Sequence, residues 1–105
     1  MNQSFQTWTR QVAFSLNLTE PAIQELLFQL HCHRDCLANG KDPDTYPSQI
    51  WDRGLMGYLL RRGMICQCDT GGFTVTKAGI ITAQLIEEAG FKPNRQYGTM
   101  FPAKH

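Results

Sequence analysis

No stretch of this 105-residue chain approaches the run of about twenty apolar residues that a membrane-spanning helix needs. The opening MNQSFQTWTRQ places no basic segment before an apolar one, as a secretory leader would. Glycine-rich phosphate loops are missing too, since the Gly71-Gly72 pair lacks the lysine and helix start of a nucleotide site. No nucleophile stands beside a base with a third group to orient it. His31 and His33 flank Cys32, but residues one apart on a helix point away from each other. Glu87 and Glu88 are adjacent at a helix end and read as solvated. The expectation is a cytoplasmic, non-enzymatic chain with no cofactor and no membrane partner. Its four cysteines are read as reduced thiols, not as a disulfide framework.

Charge of one sign is scarce. Ten Lys and Arg face nine Asp and Glu, for a net charge of +1. The distribution is uneven: residues 1–90 carry seven cations against nine acids, while 91–105 carry Lys92, Arg95 and Lys104 with no acid. Phosphate contacts supply most of the affinity of a DNA-binding module, so such modules usually show a strong basic patch. This chain has only a thin one. Its 42% hydrophobic and 18% charged residues suit a globular domain. A chain of this length buries roughly two-thirds of its unfolded surface, enough for one modest core.

The apolar spacing predicts helices. Phe5, Trp8, Val12 and Leu16 share one face of a helix over 4–16. Thr19 and Pro21 open a second helix, with a stripe of Ile23, Leu26, Leu27, Leu30 and Leu37. Phe28, Cys32 and Cys36 fall on its opposite side, so this helix is either central or exposes one side to a partner. Gly40 stops it, and 38–48 form a loop. Ser48 is expected to cap a third helix over 49–62, with an apolar arc of Trp51, Leu55, Tyr58 and Leu59. Gly54 and Gly57 each cost that helix about 1 kcal/mol against alanine. Close approach of a nucleic acid, or tight packing on a neighbouring helix, would explain them. Past Gly63, Met64, Cys66 and Cys68 alternate with Ile65 and Gln67 as in a half-buried strand. Gly71 and Gly72 permit positive φ in the turn, and FTVT returns. Thr76 caps a last helix with a stripe of Ala78, Ile81, Leu85 and Ala89, closed by Gly90-Phe91. The tail from 91 to 105 either packs its aromatics on the body or forms a free basic-aromatic arm.

Helix, glycine stop, Met64-Ile65, short hairpin and capped helix over 48–90 together resemble the second half of a winged-helix domain. The resemblance implies a mainly α fold with one β-hairpin, built as a winged-helix-like three- to four-helix domain over 1–90. It also implies that helix 49–62 is the one laid into the DNA major groove. On that reading Gln49, Arg53, Gly57, Arg61, Arg62 and Lys77 are the nucleic-acid-binding residues, and the partner is duplex DNA bound by a homodimer. The turn at Asp69 carries no Lys or Arg, unlike wings with a basic tip. A second class of function stays open: a protein-binding adaptor or inhibitor on the same scaffold, as mobile elements and phages often encode, with a larger protein as partner.

One further constellation is tested by its spacing. Cys32 and Cys36 share a helix face, and Cys66 and Cys68 share a strand face. Four converging thiolates would make a tetrahedral zinc site. The alternatives are buried thiols acting as small hydrophobes, or redox-sensing thiols, for which no environment that lowers a thiol pKa is visible.

Overall fold

The computed structural model describes residues 18–99 and 101, so the helix expected over 4–16 lies outside the described residues. The described chain holds three helices and one two-stranded antiparallel sheet, a mainly α architecture. The first helix, α1 (Glu20–Ala38), starts where expected: the Thr19 hydroxyl accepts from the Ala22 amide, and Pro21 sits in the first turn. It ends past Asn39, where Lys41 N–H reaches back to Cys36 C=O at 2.8 Å. A 3₁₀ turn (Pro43–Thr45) follows. Then come α2 (Arg53–Arg61), β1 (Ile65–Gln67), β2 (Phe73–Val75) and α3 (Lys77–Glu88).

The loop between α1 and α2 is tied to the sheet. Ser48 and Phe73 exchange both backbone hydrogen bonds, at 2.9 and 2.8 Å. The Ser48 hydroxyl accepts from the buried Gln29 amide at 2.7 Å. Ser48 is therefore engaged by α1 and β2 and does not cap a helix. The cap is Asp52, whose carboxylate accepts from Leu55 N–H at 3.0 Å. Helix 49–62 thus shortens to 53–61, and Gln49 stands outside it in an irregular, exposed segment.

At its other end α2 stops at Gly63, whose φ of +69° puts it in the left-handed region that favours glycine. Met64 N–H closes the stop on Leu59 C=O at 3.0 Å. The strands pair Ile65 with Val75, Cys66 with Thr74 and Gln67 with Phe73. Burial does not alternate along β1: Met64 and Ile65 are both buried, while Cys66 and Gln67 are exposed. In the turn only Gly71 has positive φ. Gly72 is needed for space instead, since a Cβ there would stand 2.7 Å from Pro47 Cβ.

The core gathers Ala22, Leu26 and Leu30 of α1, Leu59 of α2, Ile65 and Phe73 of the hairpin, and Ala83 and Ile86 of α3. The predicted α3 stripe is rotated. The residues turned inward are Gly79, Ala83, Ile86 and the half-buried Ile80; of the expected stripe Ala89 is buried and Leu85 half-buried, whereas Ala78 and Ile81 are exposed. The cause is non-local: Gly79 packs directly on the Met64 carbonyl and the Val75 side chain, which fixes that face of α3 on the hairpin. Leu37 is likewise exposed, and Cys36 takes the inward position at the end of α1. Arg34 and Glu87 join α1 to α3 by a paired contact at 2.8 and 2.9 Å. Both side chains are half exposed, so the pair contributes at most about 1 kcal/mol.

Candidate nucleic-acid interface

Along α2 only Leu59 is fully buried, while Leu55, Met56 and Tyr58 pack in part against the core. Residues 53, 57, 60 and 61 fall on the opposite face at 100° per residue. Arg53 and Arg61 are exposed there, about 12 Å apart along the axis. Arg62, also exposed, lies 4.5 Å over the Tyr58 ring, a cation–π contact that holds it beside the helix end. Lys77 belongs to the same end. The Thr76 hydroxyl donates to Gly63 C=O, and Thr76 N–H donates to Met64 C=O at 3.0 Å. This pins the start of α3 beside the stop of α2. Three cations thus collect at the C-terminal end of α2, where the helix dipole favours positive charge.

One feature of this face departs from the expectation. Trp51, expected in the apolar arc, stands before the helix and is 89% exposed. Leu60 sits among the arginines at 37% exposure. Neither internal glycine is explained by a neighbouring helix. A Cβ at Gly54 would meet only the Asp52 carboxylate, and one at Gly57 only the Arg61 guanidinium, both at an ordinary 3.4 Å. The hairpin turn at 69–71 is exposed and carries Asp69 as its charge.

The cysteines do not converge. Among the described residues no group of three or more His, Cys, Asp or Glu side chains is placed to hold a metal ion. Cys32 and Cys36 lie along α1 with Cys36 buried, whereas Cys66 is exposed on β1. Burial pushes the Cys32 thiol up to about 11, with Cys36 and Glu25 adding to the shift. The Cys36 and Cys68 thiols are raised chiefly by the same cause. Protonated thiols are poor ligands and poor nucleophiles.

The second side of α1 is covered by the chain's own tail, which runs along the helix. Gln24 donates to Lys92 C=O at 3.0 Å and accepts from Asn94 N–H at 2.8 Å. Tyr97 meets Phe28 edge-on at 5.3 Å, His31 contacts Gly98 C=O at 2.7 Å, and Thr99 donates to Asp35 at 2.7 Å. The Arg95 guanidinium lies over the Phe28 and Tyr97 rings at 5.1 and 5.5 Å. Between α1, Leu55 and the tail an open cleft of about 200 Å³ remains, with Glu25 on its wall.

Burial raises the Glu25 carboxyl from 4.5 to about 6, against the pull of Arg95 and a hydrogen bond from Gln29. A raised folded-state value stabilises fully below 4.5, and that stability is lost as pH rises through about 6. Glu25→Gln should therefore stabilise the protein at neutral pH by about 1 kcal/mol after allowance for solvent screening. Urea midpoints of both forms on either side of that window check this, and the variant's advantage should vanish at the acid end.

No family model, curated protein or solved structure matches the chain.

Proposed function

We propose that the protein is a small DNA-binding regulator of winged-helix type that lays α2 against duplex DNA. The observation that supports this best is the outward face of α2. It carries Arg53, Gly57 and Arg61 clear of the core, with Arg62 and Lys77 held at one end. Asp52, next to Arg53 in the chain, is engaged as the helix cap. The order of α2, hairpin and α3 is compatible with the winged-helix resemblance. Arginine suits this role because its fork can clamp a phosphate or a guanine edge with two hydrogen bonds. Gly57 lets the Arg61 guanidinium lie close to the helix. Four cations make a weak single footprint, so a homodimer reading two half-sites fits the reading.

The test is a titration of the protein with duplex DNA over a range of salt. With Arg53, Arg61, Arg62 and Lys77 at phosphates, log K should fall against log salt with a slope of about −3 to −4 per protomer. Absence of binding at low salt would remove the reading. The acid-only hairpin turn at Asp69 favours a second one, a protein-binding adaptor or inhibitor, and one stoichiometric protein partner recovered in place of DNA would establish it.

A further inference from the structure

Trp51 stands between anchored residues and yet is exposed. Its neighbours are both anchored: Ile50 is buried in the core, and Asp52 caps α2 through the Leu55 amide. Two residues earlier, Ser48 is bridged to Phe73. With Ile50 turned inward and Asp52 bound to the helix, the indole has only the outward direction. At 89% exposure it leaves most of a large apolar surface in water. Surroundings and charge point to what covers it. The nearest residue of the exposed α2 face is Arg53; Leu60, Arg61 and Arg62 stand at the far end of that helix. A protein-docking patch would surround the ring with more apolar surface. A single aromatic ring next to Arg53, at the N-terminal end of the helix read as entering the groove, matches a nucleic-acid surface instead.

We propose that Trp51 is a specificity-determining residue that makes the apolar base contact of this interface, its ring meeting a base face where α2 enters DNA. This rests on the reading of α2 as the DNA-contacting helix. Base–aromatic contact is insensitive to counterions, so it adds affinity without adding to the salt dependence. It favours base steps that open easily, because a wedge must part the stack it touches.

The chain has two tryptophans, so Trp8→Phe leaves the indole of Trp51 as the only one. Titrated with mixed-sequence duplex DNA, that variant should lose a large part of its emission at saturation. Should Trp8→Phe fail to fold, the difference in quenching between wild type and Trp51→Phe gives the same reading. Trp51→Ala should weaken binding on the order of tenfold, with an unchanged salt slope and unchanged melting temperature, and Trp51→Phe should recover most of the loss. Wild-type binding with Trp51→Ala equally tight, or with the Trp51 emission unmoved, overturns this inference and leaves the α2 reading standing. A lowered melting temperature in Trp51→Ala assigns the ring a structural role and overturns it as well. Failure of the wild type to bind DNA at low salt overturns both.

Discussion

Replacing Gly79 with alanine should destabilise the protein by about 2–3 kcal/mol, a fall of roughly 10–20 °C in melting temperature for a domain of this size. Helix propensity alone says the opposite, since alanine in mid-helix gains about 1 kcal/mol over glycine. Packing decides the sign. A Cβ on Gly79 would overlap the carbonyl oxygen of Met64 and stand 2.6 Å from Val75 Cγ2. The first obstacle is backbone, fixed by the hydrogen bond that Met64 C=O accepts from Thr76 N–H, so it does not yield as a flexible side chain would. Gly57→Ala is the counter-case on α2, where the new methyl meets only the end of the Arg61 side chain at 3.4 Å. There propensity should win, with a gain of up to about 1 kcal/mol. Paired thermal melts of the two variants check both signs, and equal effects would mean that α3 does not sit on the hairpin as described.

Arg53→Ala combined with Arg61→Ala should weaken duplex binding by about 2–4 kcal/mol, roughly thirty- to a thousandfold at moderate salt. The slope of log K against log salt should become shallower by about 1–2. Both side chains are exposed and make no core contact, so the fold should melt as the wild type does. That separation distinguishes a lost contact from a lost structure. If the double variant binds as tightly as the wild type with the same slope, α2 is not the contacting face.

The local chemistry of helix ends was legible in the sequence, because caps and stops are decided within a few residues. Thr19 and Thr76 each accept the amide three positions on, and Gly40, Gly63 and Gly90 each stand at a stop. Phe91 N–H bonds to Ile86 C=O at 3.3 Å, closing α3 as expected. What could not be read were choices made by distant partners. Ser48 and Asp52 are equally good caps by type, and it is Gln29 and Phe73 that take Ser48 away. Counting Trp51 at helical spacing from Leu55 put it in the apolar arc, whereas the chain there is not helical and the ring points out. The α3 stripe failed similarly at Ala78 and Ile81, since Gly79 carries no hydrophobic signal yet marks the closest approach of that helix to the hairpin. The candidate cations were legible by type and position. Their exposure, and the pinning of Lys77 next to the end of α2, needed coordinates.

The strap of residues along α1 has a consequence for the order in which the chain matures. Its bonds to Gln24, His31 and Asp35 span 64 to 70 positions, so α1 leaves the ribosome long before the segment that shields Phe28. At ordinary translation rates the delay is about 3–14 s, far longer than a helix needs to form. For that interval the aromatic side of α1 is open to chaperones, or to a neighbouring nascent copy.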